Sequence, residues 1–342
     1  SGFEIGLAIA SYERMAAITL ILVAKYFLPV FLKKGIYTMP QFLEIRFDRR
    51  VRTSLAVFWL VVYIFVNLTS VLYLGALALQ TIMGVPLIYG IIGLALFSSL
   101  YTIYGGLKAV AWTDVVQVIV LIGGGLVTTY LALDAVSGGH GFIAGLTELI
   151  RSVPDKFDMI LDFSHPSYKD LPGLSVLLGG MWIANLYYWG CNQYITQRAL
   201  TAKNLKEAQR GLVFAGYLKL LMPLIVVIPG IAAFALKAQI TRPDESYPWL
   251  LSQFVPAGLK GLAFAALIAA IVSSLSSMVN STATIFSMDI YKQLFRKNAS
   301  EKQLVKSGRW MSAAAMVIAV LVAPTLKTLQ QAFQFIQEFT GF

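Results

Sequence analysis

A chain of 342 residues with 58% hydrophobic and only 13% charged residues lacks the polar side chains to cover a water-soluble globule, which excludes soluble enzymes and disordered segments. Its net charge of +10 (27 Lys and Arg against 17 Asp and Glu) belongs to loops between membrane spans and implies no nucleic-acid partner. The lone Cys191 excludes an internal disulfide or thiolate cluster, and His140 and His165 are too few for an imidazole-built metal centre.

Long apolar runs predict helices, because backbone groups in hydrocarbon must be satisfied within their own segment. The first span, 5–32, carries Glu13 and Arg14 about two turns in. These two either snorkel or neutralise each other at the outer interface, or they face the interior. Lys25 reads as snorkelling. Residues 37–47 predict a short amphipathic helix with Pro40 in its first turn, lying at the inner membrane surface. Spans follow at 55–83, 87–104 and 110–136, with Asp114 opening the last of these. Gly123-Gly124-Gly125 lies inside a span and lacks the context of a phosphate loop, and Asn67-Leu68-Thr69 is buried in one. The long loop 137–171 reads as external. It carries both histidines, so no Ser-His-Asp set is available.

The span 174–194 is unusual. It holds Gly179-Gly180, Asn185 and the run Tyr187-Tyr188-Trp189-Gly190. An aromatic belt explains Trp189 and Tyr194 but not Asn185 or the paired glycines, which suit a broken helix lining a cavity. In the span 211–236, Lys219 either snorkels or faces inward. The span 259–290 contains Ala270, Ser273 and Ser274 at helical spacing, a neutral all-oxygen set suited to a weakly held monovalent ion. Serines in such a helix also serve as small packing residues bonded to their own backbone. After the span 310–326, a ninth begins near Gln331 with Phe333, Gln334, Gln337 and Glu338.

Seventeen of the 27 basic residues fall on one side of this arrangement and seven on the other, which makes the first side cytoplasmic and the N-terminus of the chain external. No linker or repeat interrupts the sequence, so residues 1–342 read as one transmembrane domain. The start at Ser1 and the end inside an apolar stretch read as an internal piece of a longer protein.

Collected together, the intramembrane groups are a carboxylate, an ammonium, amides and aromatic planes, with no nucleophile–base pair and hence no catalytic residue. Such a set suits a polyol: Glu13 accepts from neighbouring hydroxyls, Lys219 donates, Asn185 and Gln337 do both, and Tyr12, Tyr188 and Phe333 offer faces for a sugar ring. An amino acid zwitterion also matches a carboxylate and an ammonium.

From Ile5 to Glu13, across Trp182–190, through 270–291 and on to Ala332–338, the sequence resembles the solute:sodium symporter family, above all its bacterial sugar-carrying members. The resemblance implies an all-α LeuT-type fold of two inverted five-helix repeats, incomplete at both ends, with core helices two to nine and the start of ten. It implies sodium-coupled symport of a hexose (galactose or glucose) by alternating access in a bacterial inner membrane. Another small solute (inositol, an amino acid, a carboxylate) or a solute-sensing role is the alternative. Carried over by position, Glu13, Asn185, Lys219 and Gln337 resemble the sugar-binding residues. Tyr12, Tyr188, Trp189 and Phe333 resemble gate residues, with Tyr188 held by Asn185. Ala270, Ser273 and Ser274 match half of a sodium site, and Asp114 matches a carboxylate on the sodium exit path. The implied partners are sodium, a small sugar and the bilayer, with a homo-oligomer left open. Ala16 departs from the family pattern, standing where sugar-carrying members have a sugar-contacting serine.

Overall fold

The computed structural model describes residues 2–169, 171, 173–240 and 243–326, and these form helices and connecting loops with no strand among them. The helices are α1 (Gly6–Lys33), α2 (Met39–Arg46), α3 (Arg49–Gln80), α4 (Leu87–Val136), α5 (Gly141–Ser152), α6 (Gly173–Leu178), α7 (Gly180–Gly190), α8 (Gln193–Leu200), α9 (Leu205–Ala235), α10 (Ser246–Phe254), α11 (Gly258–Phe295) and α12 (Glu301–Thr325). Among the described residues, six helical stretches are long and apolar enough to cross a membrane: α1, α3, the Val110–Val136 part of α4, α9, α11 and α12.

Their starts follow from local chemistry. Asp48 Oδ1 accepts from Val51 N–H at 2.9 Å to open α3, and Asn204 Oδ1 accepts from Glu207 N–H at 2.9 Å to open α9. Ser300 and Gln303 bond each other's backbone N–H groups at the start of α12, which satisfies two otherwise orphaned donors. Wide π turns interrupt α1 at Val23–Phe27, α3 at Val62–Leu68, α9 at Pro223–Val227 and the end of α11 at Phe286–Phe295. Pro223 accounts for the one in α9, because it has no N–H to continue the ladder.

Three spans differ from the sequence expectation. The stretches 87–104 and 110–136 run on as one helix of 50 residues, α4. No proline separates them, and Gly105-Gly106 costs only about 1 kcal/mol per glycine relative to alanine, too little to force a break. At about 1.5 Å per residue α4 is more than twice as long as the ~30 Å hydrocarbon is deep, so much of it extends beyond any one crossing. Its two apolar parts, Leu87–Ile103 and Val110–Val136, remain distinct in composition. The span 174–194 is in turn not one helix. It breaks into α6 and α7 at Gly179 and continues after Cys191 as α8, where two adjacent glycines leave the backbone free to turn.

The chain divides into two compact units. The first comprises Ser1–Leu28, Val118–Gly190 and Lys203–Ala266. In it α1 packs against α9 and α7, with close approach where the Gly216 Cα faces Ala17 O and where Gly190 meets Val23 and Phe27. Its core joins Leu133, Leu149, Ile231, Ala232 and Leu250, with a second cluster around Ile5, Met15, Leu171 and Met181. The second unit comprises Pro29–Gln117, Cys191–Ala202 and Leu267–Phe342. Its core joins Leu68, Leu72, Ile91, Leu275, Met278 and Ala319 from α3, α4, α11 and α12.

Two charges near span ends are interior. Arg52 is 5% exposed and Asp289, which the sequence reading passed over, is 0% exposed. Helix α2 forms as expected, but it is apolar on both faces: Met39 and Pro40 are buried while Phe42 and Ile45 are exposed.

Candidate functional site

In the first unit α1, α7 and α9 bring together four of the residues singled out from sequence. Lys219 Nζ lies 2.7 Å from Glu13 Oε2, and both side chains are about three-quarters covered. The ammonium also sits 4.9 Å from the centroid of the Trp189 ring, a favourable cation–π distance. Trp189 in turn donates from Nε1 to Asn185 Oδ1 at 3.2 Å, and Asn185 Nδ2 donates to Met181 O at 2.9 Å. Glu13 thus pairs with Lys219 rather than with its neighbour Arg14, and Lys219 is held instead of snorkelling. Asn185 is buried and holds Trp189, where the resemblance led us to expect it to hold Tyr188; the Tyr188 ring stands edge-on to Trp189 at 5.0 Å. Tyr12, next to Glu13, is exposed. Gln337 and Phe333 lie outside the described residues.

The pairing explains why a carboxylate and an ammonium persist here. A lone charge removed from water is costly, and each group offsets the other while keeping lone pairs and protons for a ligand. Beside Lys219 the same unit holds a half-open cleft of about 600 Å³ whose walls include Val118, Ile122, Leu218, Met222 and Tyr247. Among the described candidate residues, Lys219 alone lines it. Burial pushes the Tyr247 phenol above its usual range, against an opposing hydrogen bond from Thr128, so it remains a neutral donor.

In the second unit α4, α8 and α11 build a different arrangement. Ser273 donates its hydroxyl to Asp114 Oδ1. Asp114 Oδ2 accepts from Arg198 Nη2 at 2.7 Å and Nε at 3.1 Å. Arg198 Nη2 also reaches Ser277 Oγ at 2.5 Å, and Ser277 closes the loop by donating to Ser273 O at 2.8 Å. Gln197 Nε2 donates to Ser277 O at 3.1 Å. Gln117, with its amide nitrogen toward Ala269 O (3.0 Å) and its oxygen toward Ala270 N–H (3.2 Å), clasps the same turn of α11. Because Ser273 gives its proton to Asp114, its oxygen lone pairs remain free for a cation. Ser274, one residue on, is exposed and points off this network. The structure therefore joins Asp114 to Ser273 and leaves Ser274 apart.

Sequence reasoning missed Arg198, Ser277 and Gln117 here. Arg198 was counted among loop charges, although a basic residue eight positions after Gly190 in a broken segment is a candidate partner for an intramembrane acid. The serines Ser277 and Ser281 bond back to the carbonyls four residues earlier, which is the packing alternative.

Comparison with known proteins follows this geometry. The family model described as sodium:solute symporter family matches residues 1–342. A "Sodium/glucose cotransporter" of Vibrio parahaemolyticus is 56% identical across the whole chain, which covers 66% of that protein. A "Sodium/myo-inositol cotransporter 2" of Mus musculus is 33% identical, again across the whole chain and 55% of its own length. The chain thus spans between about half and two-thirds of the length of these relatives. Among solved structures, a Na+-coupled sialic acid symporter in a substrate-bound outward-open state superposes with a TM-score of 0.85 at 25% identity, over 99% of this chain and 72% of that one.

Proposed function

Because the chain belongs to the sodium:solute symporter family and has its all-α LeuT-type fold, we propose that residues 1–342, whose two compact units together make one transmembrane transport domain, are part of a sodium-driven hexose symporter. It is an integral membrane protein. The observation that carries the reading is the Glu13–Lys219 pair, a carboxylate and an ammonium 2.7 Å apart on adjacent spans with Trp189 against the ammonium. A hexose presents vicinal hydroxyls that each donate and accept, so Glu13 takes two protons and Lys219 gives one as the sugar replaces part of their mutual contact. Asn185 adds an amide, Tyr12 and Tyr188 flank the sugar face, and the resemblance adds Gln337 and Phe333. The 56% relative names glucose, which supports the hexose class over the myo-inositol named for the 33% relative.

Sodium is cargo in this scheme. Ala270 O and Ser273 Oγ supply weak neutral ligands, the resemblance adds Ser274 Oγ although it stands off the Asp114 network, and Asp114 receives the ion as it leaves, in competition with Arg198. Bound sodium raises sugar affinity and sugar raises sodium affinity by the same factor. A membrane potential adds about 2.3 kcal/mol per charge per 100 mV. Membership of a symporter family supports the reading that the protein moves its substrate unchanged. The basic side, with Arg46, Arg50 and Lys297, faces the cytoplasm of a bacterial inner membrane and the N-terminus of the chain faces outward.

The test is uptake of labelled glucose and galactose by the full-length protein in liposomes. The expected result is uptake that collapses when choline replaces sodium, with both hexoses competing better than myo-inositol or sialic acid. Uptake indifferent to the ion rejects the reading.

A further inference from the structure

We propose that α2 and the end of α11 form a docking surface selective for anionic phospholipid headgroups. Chain connectivity fixes where this surface lies. Helix α2 joins the end of one membrane span at Lys33 to the start of the next at Arg49, so it lies at the bilayer surface. Its outward side carries Ile45 and, just beyond, Phe47, which is 65% exposed. Around them Lys34, Arg46 and Arg50 are exposed, and none is in an ion pair among the described residues. The two acids nearby are already used. Asp48 caps α3, and Glu44 meets Arg52 Nη1 at 2.5 Å.

The patch is held by buried chemistry. Arg52, pinned by Glu44, also donates from Nε to Asp289 Oδ1 at 2.7 Å and from Nη2 to Met288 O at 3.1 Å. Thr38 Oγ1 donates to the same Asp289 oxygen at 2.9 Å. Gln193 Oε1 accepts from Met39 N–H at 2.9 Å, and its Nε2 donates to Tyr37 O at 3.0 Å. Arg49 reaches across to Gln293 O, which brings the exposed Phe295, Arg296 and Lys297 of the α11 end alongside. Apolar side chains at the acyl boundary, ringed by unpaired cations and fastened to the protein beneath, match a lipid whose headgroup carries net negative charge. A zwitterionic headgroup leaves those cations uncompensated.

Near an anionic surface each such cation favours binding by about fivefold. The experiment reads lipid and not transport, so its outcome is independent of the cargo proposed above. Full-length protein is reconstituted in phosphatidylcholine vesicles with trace spin-labelled phosphatidylglycerol or phosphatidylcholine, and the association constants of the two labels are compared. The expected ratio is about fivefold or more in favour of phosphatidylglycerol. It falls to within about twofold of unity in the variant Lys34→Gln/Arg46→Gln/Arg50→Gln, and it is unchanged in Lys203→Gln/Lys206→Gln, which removes two exposed cations elsewhere. An equal ratio in wild type and triple variant overturns the proposal. So does an equal loss in the control variant, which shows only a diffuse positive field. Loss of the preference on adding millimolar glycerol phosphate overturns it too, by showing a site for soluble anions.

Discussion

Glu13 and Lys219 depend on each other, and that dependence sets what single changes do. Replacing Glu13 by glutamine leaves a neutral amide oxygen where the countercharge stood, so the ammonium of Lys219 keeps the Trp189 ring but loses its ion pair. Charge-assisted hydrogen bonds contribute about 1.5–3 kcal/mol each, so Glu13→Gln is expected to weaken sugar binding by about 10- to 100-fold, measured as the half-saturating sugar concentration for uptake. The second unit offers a parallel case. Arg198 makes two hydrogen bonds to Asp114 and one to Ser277. Arg198→Gln therefore frees Asp114 to attract sodium, while Asp114→Asn leaves the guanidinium unpaired. A double-mutant cycle on the half-saturating sodium concentration is expected to show a coupling of about 1–2 kcal/mol, with Arg198→Gln holding sodium longer. Additive effects show that the contact does not bear on the ion. Sequence alone marked Glu13, Lys219, Asn185 and Ser273 as interior candidates, since an ionisable or amide group in an apolar run has few other reasons to be there. The cost of a lone buried charge also pointed to Glu13 and Lys219 neutralising one another or pairing through a ligand, and they do meet at 2.7 Å although far apart in the chain. Sequence alone missed Asp289 and Arg52, which sit at span ends where a charge looks like ordinary loop content.

Apolar composition located the spans but not where their helices begin. Spans expected from 55, 211 and 310 start at Arg49, Leu205 and Glu301, because Asp48, Asn204 and Ser300 cap polar first turns that precede each apolar run. Glycine pairs are ambiguous: Gly179-Gly180 interrupts its segment while Gly105-Gly106 lies within α4. The difference lies in what surrounds them, which sequence does not reveal. Packing between helices depends on such residues in a different way. A Cβ on Gly216 meets Ala17 O at 3.2 Å, so Gly216→Val is expected to force α9 away from α1 and cost about 1–3 kcal/mol, read as a lower midpoint of thermal unfolding in detergent. At the end of α11 the stake is charge. Asp289→Ala leaves the guanidinium of Arg52 buried with Glu44 alone, at an expected cost of about 3–5 kcal/mol. Asp289→Asn, which keeps the acceptor for Thr38, is expected to lose less. The same melting experiment separates the two.

At the scale of the molecule, the described sugar candidates Glu13, Asn185 and Lys219 belong to the first compact unit, and the sodium candidates Asp114, Ala270, Ser273 and Ser274 to the second. Coupled transport requires that occupying one site alter the free energy of the other, and this has a consequence measurable without any transport assay. A ligand that binds only the folded state stabilises it by about 2.7 kcal/mol at one hundred times its dissociation constant. Two independent ligands therefore add. If sodium and hexose are linked, their joint stabilisation exceeds the sum of the separate ones by the coupling free energy, typically about 1–3 kcal/mol. The full-length protein in detergent is expected to show this excess when sodium and glucose are added together, and no excess when potassium replaces sodium. Substituting Ser273→Ala should remove the excess while leaving stabilisation by high glucose alone in place, because the sugar contacts reside on other helices. Should Ser273→Ala and the wild type give the same excess, the oxygen set on α11 is not where the driving ion acts.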